Sequence, residues 1–196
     1  MKKKIEKKYF IDKLILLGRI FGYFQIADII LVFSGFKSAA MIELSYFRRP
    51  GLSRQIFSKK VGDLEEIMGQ LSLKFELHIN YPKNKKEITR YSYIARDQKT
   101  LEKLINMSNE VNTKKRRWMI GRLLGYPKTA VGAFSTGTVI ETKDLPPEVL
   151  QSEELRFLRF RLSKNWKNEL KYVKRMRDEI KSITPNLYKK IKKGSL

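Results

Sequence analysis

The chain has 196 residues with 42 Lys and Arg against 20 Asp and Glu, a formal net charge of +22; a surface so one-sided repels itself and draws polyanions. It has no cysteine and a single histidine, His78, which excludes disulfides, thiolate zinc sites, iron–sulfur clusters and a cysteine nucleophile and leaves little for metal or acid–base chemistry. With 42% hydrophobic and 11% aromatic residues, it is long enough to bury a core without covalent staples.

Thermal adaptation also enriches lysine, but it brings glutamate along and builds ion pairs. Here the acids do not keep pace, so a nucleic acid or a ribonucleoprotein surface is the expected partner.

The N-terminal "MKKKIEKKYFIDKLILLGRIFGYFQIADIILVFSGF" sets lysines before an apolar stretch, as a signal peptide or membrane anchor would. Asp12, Lys13, Arg19, Gln25 and Asp28 interrupt it. No run therefore reaches the ~18 apolar residues of a transmembrane helix, and no small-residue cleavage site follows a compact apolar region. The expectation is a cytoplasmic protein with amphipathic N-terminal helices, a membrane-surface helix being the alternative. Residues 9–34 read as helix bent near Gly22, with Ile11, Leu14, Ile26, Ile29, Ile30 and Phe33 among its core residues and Gly35 as its stop.

"SAAMIELSYF" alternates, Ile42, Leu44 and Tyr46 opposing Glu43 and Ser45, as a half-buried strand does. "RRPGLSR" reads as a basic turn. In "GDLEEIMGQLSL" Asp63 and Glu66 stand at capping-box spacing, and Leu64, Ile67, Met68 and Leu71 recur with helical period. Residues 74–81 and 88–96 alternate around Pro82-Lys83-Asn84-Lys85-Lys86 and predict an antiparallel hairpin with a basic tip. Asp97 caps the next helix, which carries Leu101, Leu104 and Ile105. The fold class is therefore α+β: a small, mainly antiparallel sheet over residues 38–96 layered with helices, then a helical C-terminal part. The organisation reads as one domain with N-terminal helices (1–36), an α+β core (37–112) and a helical part (113–196).

Within that helical part, residues 113–124 and 127–135 are predicted helices. "STGTVIETKDLPPEVLQSEE" reads as a connector with one short strand, and Asp144 and Glu148 flank its prolines where a short helix begins. Ser163 is the expected cap of the last long helix, with Trp166, Leu170, Val173 and Ile180 as its apolar stripe, and Pro185 separates a final helical turn.

"KKRRWMIGRLLGYPKTAVGAF" (114–134) carries two signals. Gly121, Gly125 and Val131 stand at the spacing of a helix-turn-helix, which needs a small residue where its helices touch, a left-handed glycine and an apolar anchor. The second helix is a poor base reader, however, since it offers chiefly Lys128 and Thr129, and Gly-Tyr-Pro is an ordinary way to end one helix and start another. The second signal is charge. Arg48 and Arg49, Lys83, Lys85 and Lys86, and Lys114, Lys115, Arg116 and Arg117 fall at element ends or turns, with Trp118, Tyr91 and other aromatics close by. Cations for phosphates and ring faces for unpaired bases suit sequence-tolerant RNA or single-strand binding.

Catalytic patterns are thin. His78 in "KFELHINY" lies opposite Phe75, Leu77 and Ile79 and reads as solvent-facing. The carboxylates of "GDLEEIM" are accounted for by capping and the helix dipole, and no glycine-rich phosphate loop occurs. No catalytic residue, metal ligand or cofactor is expected.

From Arg117 to Gly194, "GRLLGYPKTAVGAF", "SEELRFLRFRLSKNW" and "PNLYKKIKKG" resemble a mainly archaeal domain family of unknown function with a Gly-Tyr-Pro-x-x-Ala/Cys-Val-x-x-Phe motif. Its members often place cysteines just after Gly-Tyr-Pro and again near Ser-Lys-Asn-Trp; this chain has Thr129 and Ala130 at the first place and Trp166 near the second. The resemblance implies a shared fold with the Gly-Tyr-Pro corner packed on the C-terminal helix, and argues against metal chemistry here. It implies no activity.

The reading the sequence favours is a non-catalytic basic protein that binds structured RNA or a ribosomal surface through Arg48, Arg49, Lys83, Lys85, Lys86, Lys114, Lys115, Arg116, Arg117, Trp118 and Lys128. A helix-turn-helix DNA regulator is the alternative, and an enzyme acting on a nucleotide or nucleic acid the second.

Overall fold

The structure, a computed structural model, describes residues 2–45, 52–80 and 89–194, with side chains over 7–44, 52–78 and 91–194. The architecture is α+β, a small three-stranded antiparallel sheet with helices followed by a helical C-terminal part. The chain divides between Leu101 and Glu102 into two compact units.

In the first unit, α1 (Lys2–Phe21) and α2 (Tyr23–Ser34) are separated at Gly22, whose φ of +93° is open to glycine and costly for residues with a Cβ. This is the bend expected from the sequence. The strands β1 (Ala39–Ser45), β2 (Lys74–Asn80) and β3 (Thr89–Ala95) lie in the order β1-β3-β2, all antiparallel. Alternation decides the faces: Ala40, Ile42, Leu44, Ser92 and Ile94 are buried, on the side where α2 meets β1 and β3. The register Glu43–Tyr91–His78 and Met41–Tyr93–Glu76 builds the opposite face. There the His78 ring meets Tyr93 edge-on at 4.8 Å and its Nε2 lies 2.8 Å from Glu76 Oε1.

α3 (Arg54–Gln70) corrects one expectation. The helix begins nine residues before Asp63, because Ser53 Oγ accepts from Ile56 N at 3.2 Å and caps it. Phe57 and Val61 extend the buried stripe of Leu64, Ile67 and Met68 backward. Asp63 is mid-helix, its Oδ2 bound by Lys60 Nζ at 2.7 Å, so capping is not its role.

The sheet's entry is fixed by a buried ion pair. Lys37 Nζ donates to Asp28 Oδ1 at 2.5 Å, with both side chains almost fully enclosed, and Lys37 N donates to Leu31 O at 3.0 Å. The charge that interrupts the apolar run of α2 is thus the anchor of the turn into β1. α4 (Gln98–Ser108) starts, as expected, on Asp97, whose Oδ1 accepts from Thr100 N at 2.9 Å, and buries Leu101 and Leu104. Among the described residues no helix is long and apolar enough to cross a membrane.

The second unit holds α5 (Thr113–Leu123), α6 (Lys128–Thr136), the short α7 (Pro147–Leu150), α8 (Trp166–Ile183) and α9 (Pro185–Lys192). The connector contains no strand: residues 142–144 and 153–157 are 3-10 turns, and Ile140 N donates to Leu162 O at 2.9 Å as a lone tie. Ser163 is not the cap of α8, since Asn165 occupies that position; Ser163 Oγ instead accepts from Asn165 N at 3.0 Å just outside the helix. The buried stripe of α8 is Glu169, Val173, Met176 and Ile180, with Trp166 and Leu170 only half-buried. Val173 and Ile180 are buried as expected, while Glu169 and Met176 take the places expected of Trp166 and Leu170, which brings a glutamate inside.

Candidate nucleic-acid interface

The corner between α5 and α6 follows from three residues. A Cβ at Gly121 would lie 2.8 Å from Val131 Cγ2, so only glycine lets the helices approach so closely there. Gly125, at φ +79°, ends α5 in the left-handed conformation. Around it Tyr126 N donates to Gly121 O at 3.1 Å and Gly125 N to Arg122 O at 3.1 Å, the paired bonds of a Schellman cap. Val131, 4% exposed, is the anchor on α6. Gly121→Ala is expected to destabilise the protein by about 1–3 kcal/mol through overpacking, more than the ~1 kcal/mol that alanine gains in a helix. Val131→Ala in the same chain should return part of the loss; a neutral Gly121→Ala in chemical denaturation contradicts this geometry.

α5 buries no residue. Asn112 Oδ1 caps it by accepting from Lys115 N at 3.0 Å, which starts the helix directly at the cation run. Lys114, Arg117, Trp118 and Gly121 stand at i, i+3, i+4 and i+7 and share a face, the face that Gly121 turns toward α6. The Arg117 guanidinium stands over the Phe134 ring of α6, 5.4 Å from its centroid. Trp118 is 43% and Phe134 45% exposed. Lys115 Nζ is engaged by Glu110 Oε2 at 2.6 Å, whereas Lys114, Arg116, Arg117 and Lys128 form no ion pair among the described residues. The sequence explains why: between Asn112 and Glu141 there are six cations, Lys114, Lys115, Arg116, Arg117, Arg122 and Lys128, and no Asp or Glu.

No family model, curated protein or solved structure matches this chain. The character of the surface therefore rests on its own residues. Of those expected to meet nucleic acid, Lys114, Lys115, Arg116, Arg117, Trp118 and Lys128 belong to α5 and α6. Arg48, Arg49, Lys83, Lys85 and Lys86 lie outside the described residues. Tyr91 sits on the outer sheet face across from Glu43, and burial, followed by the Glu43 charge, holds its phenol above the ordinary tyrosine value. A carboxylate beside the ring makes that face a poorer place for phosphate than α5.

Sequence reasoning missed Glu169, which holds the corner in position. The side chain is 1% exposed. Its Oε1 accepts from Thr129 Oγ1 at 2.6 Å and from Ser163 Oγ at 2.5 Å, and its Oε2 from Ser163 N at 2.8 Å. One carboxylate thus joins the first turn of α6, the Ser163 loop and α8. The Thr129 hydroxyl is spent on this brace.

The acids of the second unit gather elsewhere. Arg177 binds Glu154 at 2.7 Å and Asp178 at 2.8 Å, and Lys192 lies 3.2 Å from Glu153. The Tyr188 hydroxyl donates to Glu153 Oε1 at 2.6 Å, and it, with Lys192, holds the Glu153 carboxyl below its ordinary value. In the first unit a groove of about 310 Å³ between α1 and α3 has Lys13, Lys60, Asp63 and Glu66 around Phe10, Leu16, Leu17 and Ile67. Asp63 there is already held by Lys60. Among the described residues no cluster of three or more His, Asp or Glu is disposed to hold a metal.

Proposed function

We propose that the protein binds nucleic acid without transforming it, through phosphate contacts from α5 and the start of α6, with structured RNA or a ribosomal surface as the ligand. The observation that carries this reading is the group Lys114, Arg116, Arg117 and Lys128, cations with no ion pair among the described residues, in a stretch of chain without Asp or Glu. Arg177 and Lys192 of the same unit are matched with acids; what sets the α5–α6 group apart is that no Asp or Glu stands in the chain between Asn112 and Glu141. Long basic side chains left without carboxylates in this way are what a phosphate backbone neutralises.

The corner geometry also suits a helix-turn-helix regulator, but α6 has little with which to read bases. Thr129 gives its hydroxyl to Glu169, and Thr136 Oγ1 returns to Gly132 O at 2.9 Å. Lys128 is the cation left on that helix, and one lysine selects phosphate better than sequence. RNA is favoured over an operator on that ground.

The test is equilibrium binding of the full chain to a structured RNA at two salt concentrations. Four phosphate contacts predict a loss of affinity on the order of a hundredfold between roughly 50 and 200 mM monovalent salt. Salt-independent binding, or none at the lower salt to either RNA or duplex DNA, contradicts the reading.

A further inference from the structure

We infer that the α5–α6 surface takes unpaired nucleobases as well as phosphates, so that its ligand within nucleic acid is a single-stranded segment, loop or bulge and not a continuous duplex. This rests on the proposed nucleic-acid function and narrows it. Two large rings stand open on this surface, Trp118 on α5 and Phe134 on α6, although an indole or phenyl ring in a soluble protein is ordinarily drawn under cover. Other aromatics of the same unit are paired with one another. Phe157 stacks on Tyr188 at 5.7 Å, and Tyr126, Phe160 and Tyr172 form a chain of ring contacts at 5.3 and 5.9 Å.

Phe134 has a cation on its face instead, the Arg117 guanidinium, a planar group on which a base also stacks. Lys114 precedes this cluster by one helical turn and Lys128 lies six residues before Phe134 on the other helix, with no carboxylate between Asn112 and Glu141 to repel a phosphate. Duplex ligands bury their base faces in their own stack and offer nothing to Trp118. A strand with exposed bases satisfies both halves of the surface, rings with bases and cations with phosphates. That charge complementarity is what selects a polynucleotide over an apolar protein partner for the open rings.

The experiment compares the full-length protein with Trp118→Ala and Trp118→Phe, binding a single-stranded RNA and an RNA duplex at one salt concentration. Stacking on Trp118 predicts that Trp118→Ala loses about tenfold or more in affinity for the single strand and little for the duplex. Trp118→Phe should recover most of the loss. In a Trp166→Phe background the single strand should quench the remaining Trp118 fluorescence. Equal loss on both ligands, or none on either while binding itself persists, overturns the base-stacking inference and leaves the phosphate reading standing. Failure of the wild-type protein to bind any of the ligands overturns the phosphate reading itself. Circular dichroism of the variants identifies any loss that comes from unfolding; the quenching of Trp118 in the Trp166→Phe background then carries the test, and its absence while the single strand binds overturns the inference.

Discussion

Replacing Lys37 with methionine is expected to lower the free energy of unfolding by about 3–5 kcal/mol. The reason is the enclosure of its partner. Asp28 sits in α2 at 4% exposure and Lys37 at 2%, so removing the ammonium takes the opposite charge from a carboxylate that water hardly reaches. The size of this effect does not mean that the pair itself is worth so much, because bringing both charges out of water already costs much of their attraction. Asp28→Leu combined with Lys37→Met should therefore unfold near the wild-type denaturant midpoint, while either change alone falls well below it. Two mild single variants, each under about 1 kcal/mol, would mean that the pair is solvated and does not fix the turn into β1.

The second large effect is expected at Glu169. Leucine there leaves the Ser163 hydroxyl and the Ser163 N–H without an acceptor inside the protein, and each buried unmatched donor costs about 1–3 kcal/mol. For the two donors together a loss of roughly 2–6 kcal/mol follows. Thr129 adds less, since its exposed position lets water replace the carboxylate. Glutamine is expected to fall between, because its oxygen can serve the two hydroxyls while its amide group faces the Ser163 N–H donor to donor. Denaturation of Glu169→Leu and Glu169→Gln checks the order. If both matched wild type, the carboxylate would not be holding α6 to α8.

Both residues show what local pattern leaves out. The strands were legible because alternation of period two marks Ile42, Leu44 and Ile94 as inward whatever else the fold does, and β2 pairs with its neighbour in sequence, β3, whereas the pairing of β1 with β3 spans α3 and β2 and has no local signal. The Gly121–Gly125–Val131 corner was legible because it depends on what a backbone can do without a Cβ. Asp28 read as an interruption of an apolar run because its partner lies beyond the helix end, nine residues on. Glu169 went unremarked because one of its partners is 40 residues away. The start of α3 was misplaced because Asp63 and Glu66 match a capping pattern that Ser53 fulfils earlier in the chain. Of the surface residues, the run Lys114–Arg117 was plain in the sequence, but the stacking of Arg117 on Phe134 needed the corner to bring α5 and α6 together.

The central claim, that α5 and α6 neutralise phosphates, is tested most directly by the salt dependence of RNA binding for wild type and for the combined variant Lys114→Gln, Arg117→Gln, Lys128→Gln. Each lost phosphate contact reduces the slope of log affinity against log salt by about 0.7–0.9. The variant is therefore expected to show a slope shallower by roughly two units, with the fold intact by circular dichroism. An unchanged slope would place the phosphate contacts elsewhere on the protein and contradict the assignment.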